Sequence, residues 1–405
     1  MTTDNVKKHL KHKKPPMALD GIKVLDMALF GPGPFCARIL GDLGADIIKI
    51  HEPNLESRGG PIKLQFPDLP KFPGLRNCKF MGLNLKAEAG IKIFYELART
   101  ADVITESFRP GIPRRLGIDY EKIQGINSGI VYASITGFGQ DGPYRDIVGH
   151  DINYISIGGL LDMTGNAGGA PVLPGTLIAD FAAGGMSAAI GILAALAARE
   201  RSGRGQFVDV SMTDAVVGLM GEWINEYLYG GSVPKRGETM FTGQWPWYNV
   251  YETKDGKYIS IGAVEPWFYA NLCQLLGCEN LIQHQHAEGE KRKEIFRFFK
   301  RTFLTKTRDE WVRLLRQKDT CVAPIYSFEE LVDDPHLFHR GIIGEVSHPR
   351  LGTVRQIGPF IKLSNSPFQI RNWASRLGQH TEEILRGIGY DAARINALRQ
   401  AGIIN

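Results

Sequence analysis

Short apolar runs alternate with segments of helical periodicity along the first half of the chain. The run Ile22–Met27 leads into the periodic segment Gly33–Leu43 and then into a second run, Asp46–Ile50. The same alternation returns at residues 81–85, 87–99, 102–106 and 130–135. Such a pattern predicts strand–helix–strand units, and repeated units of this kind build a mostly parallel sheet with helices on both faces. The sequence therefore predicts an α/β fold.

The middle of the chain carries a long segment of small and apolar residues, Asp180–Arg199. This composition predicts a buried helix that other elements can approach closely, and the glycines of Ser202–Gly205 end it. A strand at Phe207–Ser211 and a helix at Thr213–Tyr229 follow. The glycine, serine and proline residues of Gly230–Gly237 predict a linker, so we place a domain boundary there.

Beyond the linker the pattern predicts a smaller α+β domain. Two β-rich runs, Tyr248–Thr253 and Tyr258–Ile261, flank a Lys-Asp-Gly-Lys turn and predict a β-hairpin. The charged stretch Glu265–Thr320 has mainly helical periodicity. The last part of the chain predicts strands within Gly341–Phe360 and helices at Thr381–Gly387 and Ala392–Ala401.

The formal net charge of +5 comes mostly from one end of the chain. Residues Met1–Pro16 carry five lysines and one aspartate, a net of +4, which leaves +1 for all the other residues. A near-neutral body has no electrostatic footprint for nucleic acid, and a lysine-rich tail is typical of a solvated arm. We therefore expect no nucleic-acid partner.

Composition also bears on the compartment. The five cysteines, at positions 36, 78, 273, 278 and 321, lack the C-x-x-C spacing of zinc or thioredoxin-like sites. The tail has no apolar signal core, and runs such as Ile190–Ala198 are too short to span a bilayer. We expect a cytoplasmic protein with reduced cysteines, no metal site and no membrane partner.

The loop Gly31-Pro32-Gly33-Pro34-Phe35-Cys36 joins a predicted strand to a predicted helix, and Glu52 follows about twenty residues later. This arrangement is similar to a dinucleotide-binding fingerprint, which leaves a nicotinamide or flavin oxidoreductase as an alternative. However, Pro32 and Pro34 have no N–H to donate to a pyrophosphate, and Cys36 stands where a third glycine would allow close helix packing. A plain strand-to-helix turn explains the loop as well.

Candidate chemistry lies in Gly149-His150-Asp151-Ile152-Asn153-Tyr154, which follows the glycine-rich loop Gly137–Pro143. Loops at strand ends are where α/β proteins bind ligands. By local pattern alone, His150 is a hydrogen-bonded interior histidine and Asp151 is a helix cap. As a functional residue, His150 would instead exchange protons near neutral pH.

Asp180 and Glu265 each have two interpretations. Asp180 begins the long helix, where it can cap the first turn or place a carboxylate beside N–H donors that stabilise an enolate oxygen. Glu265 precedes Pro266 and can cap helix Trp267–Leu276, or it can orient a histidine. Aromatic residues crowd the same region and form either core or an apolar acyl pocket. They are Trp245, Trp247, Tyr248, Trp267 and Phe268.

Taken together, these segments resemble the class III CoA-transferase superfamily, of the CaiB/BaiF type, and most closely its α-methylacyl-CoA racemases. The similarity extends over almost the whole chain after the tail. The matching segments are Gly21–Asp26, Gly31–Asp46, Glu106–Gly111, Ser134–Gly142, Gly149–Tyr154, Leu177–Gly185, Gly262–Tyr269 and Gly378–Leu385.

The resemblance implies one of two reactions at Asp180. In the CoA-transferases this position resembles a nucleophile that forms an aspartyl-CoA thioester, whereas in the racemases it is one of two proton carriers. Transferases generally lack a histidine at position 150 and carry a glycine-rich mobile loop where this chain has Gly262–Pro266. Inversion of a carbon needs a base on one face and an acid on the other, and a His/Asp pair supplies both.

The resemblance therefore favours an isomerase of lipid metabolism, an acyl-CoA racemase or epimerase. It would invert the α-carbon of a 2-methyl-branched acyl-CoA through an enolate, with His150 and Asp180 as catalytic proton carriers and Glu265 supporting His150. An acyl-CoA:carboxylate CoA-transferase with Asp180 as nucleophile is the alternative.

The resemblance also implies substrate contacts. Leu83-Asn84-Leu85-Lys86, Arg109 and the Gly149–Tyr154 loop match positions that hold CoA in the racemases. Within that loop the implied CoA-binding residues are Gly149, Asp151, Ile152, Asn153 and Tyr154. CoA enters as part of the substrate, and no separate cofactor is expected. Glu52 departs from the pattern, because that position is usually arginine in racemases and a carboxylate repels phosphates.

The family's architecture implies the domain arrangement. A disordered basic tail (1–16) precedes a large Rossmann-like CoA-binding domain (17–230), a small domain with the linker (231–330) and a return segment that completes the large domain (331–405). The resemblance further implies an interlocked homodimer, in which Glu265 acts across the subunit interface. The expected partners are thus an acyl-CoA thioester and a second copy of the chain.

Overall fold

A computed structural model describes residues 15–28, 30–53, 55 and 75–405. Nearly all of the predicted basic tail lies outside the described residues. Contacts divide the chain into two compact units. The large unit comprises the residues up to Val148 together with Ala179–Ala215 and His339–Asn405, and the small unit comprises Gly149–Ile178 and Val216–Phe338.

The predicted strands and helices occur in the predicted order, and the structure adds a short strand at Val322–Pro324 and several short helices. The strands are β1 (Lys23–Asp26), β2 (Asp46–His51), β3 (Cys78–Gly82), β4 (Val103–Glu106), β5 (Val131–Thr136), β6 (Phe207–Ser211), β7 (Tyr248–Glu252), β8 (Tyr258–Gly262), β9 (Val322–Pro324), β10 (Ile343–His348) and β11 (Gly352–Ile357). The helices are α1 (Pro32–Asp42), α2 (Glu88–Ala98), α3 (Ile112–Leu116), α4 (Tyr120–Gln124), α5 (Asp151–Ile157), α6 (Leu160–Met163), α7 (Ser187–Ser202), α8 (Met212–Leu219), α9 (Gly221–Gly230), α10 (Pro266–Leu276), α11 (Gly289–Phe303), α12 (Arg308–Leu315), α13 (Phe328–Val332), α14 (Pro335–His339), α15 (Thr381–Gly387) and α16 (Ala392–Gln400).

The large unit is built on a parallel sheet with the strand order β3-β2-β1-β4-β5-β6. Every residue of β4 and β5 is buried, because helices cover both faces. On one face, α1 and α7 contribute Leu40 and Ile192 to the core. On the other, α2 and α15 contribute Phe94 and Leu385. The predicted Rossmann-like α/β fold is confirmed.

The long apolar segment begins with a wider helical turn than the sequence predicts. Ala179–Met186 is π-helical and continues directly into α7. A Cβ at Gly184 would lie 2.7 Å from the Cβ of Pro32, and one at Gly185 would lie 2.9 Å from Cδ1 of Phe35. The two glycines therefore allow this segment to pack closely on α1.

The expectation that apolar runs here are too short to span a membrane is wrong for the folded helix. The continuous helix Ala179–Ser202 has 24 residues and is long and apolar enough for a span by those two criteria. Core helices meet the same criteria, and the inner face of this helix packs on the sheet through Ala188, Ile192 and Leu196.

The division into units differs from the predicted domain boundaries. Residues 149–178 and 216–230, which the sequence assigns to the large domain, belong to the small unit. Tertiary contacts explain their placement: a Cβ at Gly158 would lie 2.4 Å from Val216, and Arg236 binds Asp162 at 2.6 Å. Such contacts join residues distant in sequence, which local patterns do not encode. The chain returns to the large unit at His339.

The small unit has the predicted α+β character. Its sheet is antiparallel in the order β7-β8-β9, and the predicted hairpin pairs Tyr251 with Ile259. Trp247 is fully buried in the core of this unit, and its indole Nε1 donates to the Gln285 carbonyl at 2.9 Å. Of the two interpretations of the aromatic residues, core is confirmed for Trp247, whereas Trp267 is 61% exposed.

Candidate active site

Loops from the parallel strands of the large unit meet at one edge of the sheet. Gly31 follows β1, Glu52 follows β2, Leu83–Lys86 follows β3 and Arg109 follows β4. The crevice outside the carboxyl ends of such strands is where α/β proteins bind ligands. The structure therefore brings the CoA-binding residues predicted for this unit to one edge.

The carboxylate of Asp180 lies directly against Gly31. Gly31 precedes α1 with φ of 64° and ψ of −128°, and a Cβ at this position would lie 2.9 Å from Oδ2 of Asp180. Any side chain here would therefore displace the carboxylate, and the left-handed φ itself favours glycine. The positive end of the α1 dipole stabilises a negative charge placed beside it.

Asp180 is thus not the simple helix cap that its local pattern allows. It is the second residue of the π-helical segment, a kind of turn that occurs frequently at functional sites. The next side chain, Phe181, stacks on Phe35 of α1 with 5.0 Å between ring centroids. Sequence reasoning missed the role of Gly31, although a glycine between a strand and a helix was the available signal.

A buried ion pair holds the loop that leads to Gly31. Asp26 and Lys49 are both fully buried, and the Lys49 ammonium donates to the Asp26 carboxylate and, at 2.9 Å, to the Ala28 carbonyl. Asp26 also accepts from the Ala28 N–H and the Thr105 hydroxyl, each at 2.9 Å. These bonds fix the start of the loop to β1, β2 and β4, and the sequence analysis did not identify them.

Replacement of Lys49 by methionine is expected to lower the free energy of unfolding by about 3–5 kcal/mol, because it leaves the Asp26 carboxylate buried without its cation. Urea denaturation followed by circular dichroism measures the change. Lys79→Met is the matched control, because the Lys79–Glu383 ion pair on the neighbouring strand is partly exposed and contributes less than about 1 kcal/mol. Equal losses in the two variants would contradict a structural role for the buried pair.

Glu106 anchors the loop that carries Arg109. One oxygen of its buried carboxyl group accepts from the Ser134 hydroxyl, and the other accepts from the Phe108 N–H at 2.6 Å. Burial raises the pKa of Glu106 to about 7, against the lowering effect of the Ser134 hydrogen bond. Gln140 donates to the Ser134 hydroxyl at 2.8 Å. The network connects the loops that follow β4 and β5, and the Arg109 residue that it positions is exposed.

The Leu83–Lys86 turn is fixed at its base and exposed at its tip. Leu83 is buried, and the Lys86 N–H donates to Oδ1 of Asn84 at 3.0 Å. The Lys86 ammonium lies 2.6 Å from Oε1 of Glu52. The lysine predicted to contact CoA is therefore paired with the carboxylate that departs from the racemase pattern.

In the small unit, the Gly149–Tyr154 loop exposes its histidine. The local interpretation of His150 as an interior residue and Asp151 as a cap is wrong: His150 is the exposed N-cap residue of α5, and Asp151 is buried in its first turn. The His150 backbone N–H donates to Oδ1 of Asn153 at 3.0 Å, and the Tyr154 hydroxyl donates to the Gly149 carbonyl at 2.5 Å. The backbone and the side chain of His150 thus form a capping box with Asn153, and the residue is exposed.

Glu265 occupies the predicted cap position of α10, but its side chain makes no capping bond. Burial raises the pKa of the Cys321 thiol, and the charge of Glu265 raises it further. No hydrogen bond joins Glu265 to His150 within the described part of the chain. The sequence analysis places the support of His150 by Glu265 across a subunit interface, so it stays a prediction.

The loop before Glu265 is held at several points. Its Gly262 N–H donates to the Cys321 carbonyl at 2.9 Å, and its Ala263 N–H donates to the Trp247 carbonyl at 2.8 Å. The Gln285 amide donates to the Val264 carbonyl at 2.7 Å.

The predicted catalytic residues are divided between the units. Asp180 belongs to the large unit, together with Leu83–Lys86 and Arg109, whereas His150 and Glu265 belong to the small unit. Among the described residues, no cluster of histidine, cysteine and acidic side chains could hold a metal ion.

The chain matches a family model described as CoA-transferase family III over residues 19–381. It is 34% identical over 394 residues to the alpha-methylacyl-CoA racemase of Homo sapiens, and this match covers 96% of this chain and 98% of that protein. It is 32% identical over 396 residues to the succinyl-CoA:glutarate CoA-transferase of Homo sapiens, and this match covers 96% of this chain and 90% of that protein. A crystal structure of a CAIB/BAIF family protein from Brucella suis matches with a TM-score of 0.77 at 26% identity, covering 92% of this chain and 100% of that one.

Proposed function

The chain belongs to CoA-transferase family III, and from this membership we propose that it is an acyl-CoA racemase or epimerase. Its substrate would be a 2-methyl-branched acyl-CoA thioester, which it would invert at the α-carbon. The observation that carries the proposal is the exposed His150 at the start of α5, a second proton carrier in addition to Asp180. Acyl exchange needs a single nucleophile, whereas inversion of a carbon needs two proton carriers.

In the proposed reaction, the thioester carbonyl acidifies the α C–H bond. Either His150 or Asp180 removes the α-proton from one face, and the electron pair of the C–H bond moves onto the thioester oxygen as an enolate. The other residue then delivers a proton to the opposite face, and the electron pair returns to form the new C–H bond. The positive end of the α1 dipole, beside Asp180, would stabilise negative charge that develops there.

Two further features support proton exchange. The Gly262–Pro266 loop has no run of glycines. Its N–H groups donate to the Cys321 and Trp247 carbonyls, and it accepts from the Gln285 amide, so it is held in place. Glu265 at its end is an orienting carboxylate in this proposal, acting on His150 of a partner subunit in a homodimer. A carboxylate that binds one ring nitrogen fixes the tautomer and raises the basicity of the other.

A CoA-transferase remains the second candidate, because relatives of similar identity carry that name. In that reaction Asp180 would attack the thioester carbonyl, CoA thiolate would leave, and the thiolate would then attack the resulting anhydride to form an aspartyl-CoA thioester and release the carboxylate. This route uses Asp180 and assigns no proton transfer to His150.

Incubation of the protein with 2-methylacyl-CoA thioesters in deuterated water tests the proposal. We expect one deuterium at the α-carbon and both epimers in the product, because the enolate is planar and its proton carriers exchange with solvent. Mass spectrometry and proton NMR measure the label and its position. Absence of label across several thioesters, together with a hydroxylamine-trappable aspartyl thioester at Asp180, would establish the transferase instead.

A further inference from the structure

A polar cleft lies beside β3, the edge strand of the parallel sheet. Its volume is about 310 Å³, in the range of small-molecule sites. The polar and aromatic side chains that line it include His348, Arg350, Arg371, Trp373, Gln379 and His380. The Asn77 N–H, directly before β3, donates to the Asn372 carbonyl at 2.8 Å, and the Arg371 guanidinium donates to the Ala45 carbonyl, directly before β2, at 2.7 Å. The cleft therefore adjoins the amino ends of these strands, whereas the candidate active site lies at their carboxyl ends.

Two histidines of the polar cleft have tautomers that the backbone fixes. The Arg350 and Leu351 N–H groups donate to Nδ1 of His348, each at 3.2 Å, and the Phe80 N–H donates to Nδ1 of His380 at 3.0 Å. A neutral imidazole whose Nδ1 accepts a hydrogen bond carries its proton on Nε2. Burial lowers the pKa of His380, which favours the neutral ring. Each ring thus has an Nε2–H group left to donate to a ligand.

Three further side chains of the polar cleft supply donors. Oε1 of Gln379 accepts from the Arg376 N–H at 3.2 Å, which leaves the NH₂ group of the amide to donate. Arg350 and Arg376 line an adjoining hollow that shares Arg350 and Gln379 with the cleft. A guanidinium has five N–H groups, so it can bind an anion and a protein acceptor together. None of the described residues that line the cleft or the hollow is acidic, and this combination of donors and positive charge favours an oxyanion.

We propose that the polar cleft binds a phosphate group, either inorganic phosphate or a phosphate monoester, at a site separate from that of the acyl-CoA. The Nε2–H groups of His348 and His380 would donate to the phosphate oxygens, and the Arg350 guanidinium would balance their charge. The ring of Trp373 packs on the edge of His348 with 4.6 Å between centroids and so holds that imidazole in place. The inference is independent of the proposed function, because it uses no residue of the candidate active site.

Isothermal titration of the full chain with inorganic phosphate and with phenyl phosphate tests the inference. The second probe distinguishes an ester from a free anion, because its ring can pack on Trp373. In His348→Asn, the asparagine Oδ1 can still accept from the two backbone N–H groups, as it does in Asx turns, but the Nε2–H donor is lost. We expect binding to weaken about tenfold or more, the usual effect of losing one hydrogen bond to a charged group.

Arg350→Gln is the second variant, and it should weaken phosphate binding by a similar factor with little risk to the fold, because Arg350 is exposed. Arg355→Gln is the matched control. Arg355 lies on β11 of the same hairpin, outside the polar cleft, with its Nε 3.7 Å from Oε1 of Glu345, and its replacement should leave the affinity unchanged.

Absence of saturable binding of both probes would overturn the inference, as would equal affinities in the unmodified chain, His348→Asn and Arg350→Gln. Displacement of the bound phosphate by CoA would assign the anion to the acyl-CoA site and would equally overturn a separate site. Binding that persists in saturating CoA and is weakened in the two variants would support it, and the probe that binds more tightly would show whether the ligand is the free anion or an ester.

Discussion

Asp180→Ala should lower the rate of epimerisation by about 10²- to 10⁴-fold, the usual contribution of a positioned acid or base. The physical reason is that the substitution leaves one proton carrier where inversion requires two. The carboxylate that it removes lies against Gly31 at the positive end of α1, where no side chain of the loop can replace it. Chiral analysis of the product formed from a single epimer of a 2-methylacyl-CoA, at saturating substrate, gives the rate.

Asp180→Asn controls for packing. The amide has the shape of the carboxylate and keeps the contact with Gly31, but it cannot accept the α-proton, so its loss should match that of Asp180→Ala. Titration with CoA should show that both variants still bind the nucleotide, because the predicted CoA contacts of this unit lie on other loops. Epimerisation near the unmodified rate in either variant would return Asp180 to a purely structural role.

The strands and helices of the large unit were predictable because their signal is local. A buried parallel strand is continuously apolar, and the helices between such strands have an apolar face, so the alternation alone placed β4 and α2 within one residue of their observed bounds. The parallel pairing followed from the same alternation, since parallel strands need crossover helices, whereas the strand order was not predicted.

The features that sequence reasoning missed depend on contacts between distant residues. In the sequence, Lys49 is a polar residue that interrupts an apolar strand, and only the fold shows that it binds Asp26. In the same way, Gly31 is a turn residue in the sequence, and only the fold shows that Asp180 lies against it. The domain boundaries differ for the same reason, because Val216 and Arg236 join residues 149–178 to later parts of the chain.

The candidate site also has a part that the sequence predicts and a part that it does not. Its residue types were available from the sequence and from the family resemblance, but their environments were not. The pattern around His150 is apolar on one side, which favoured an interior position, yet the residue precedes the helix and is exposed. Likewise, the charge of Glu52 was evident, but its neutralisation by Lys86 required the neighbouring strand ends to be in place.

His150→Ala should also lower the rate of epimerisation by about 10²- to 10⁴-fold, since it removes the other proton carrier. The fold should tolerate the substitution, because His150 is exposed and alanine retains the backbone N–H that donates to Asn153, although it loses the side-chain half of the capping box. We expect the free energy of unfolding to fall by about 1 kcal/mol or less. The epimerisation rate and a urea denaturation curve, measured on the same preparation, separate lost chemistry from lost structure.

His336→Ala is the matched control for His150→Ala. His336 is another exposed histidine of the small unit, and its backbone N–H donates to Oδ1 of Asp334 at 2.9 Å in a similar arrangement. Its replacement should leave epimerisation unchanged. Full epimerase activity in His150→Ala would contradict the two-carrier mechanism. Loss of epimerisation with retained formation of an aspartyl thioester at Asp180 would show that His150 moves protons and that Asp180 alone can act as a nucleophile. The His150 variants therefore distinguish the racemase from the CoA-transferase. The Asp180 variants cannot do so, because both candidate reactions require Asp180.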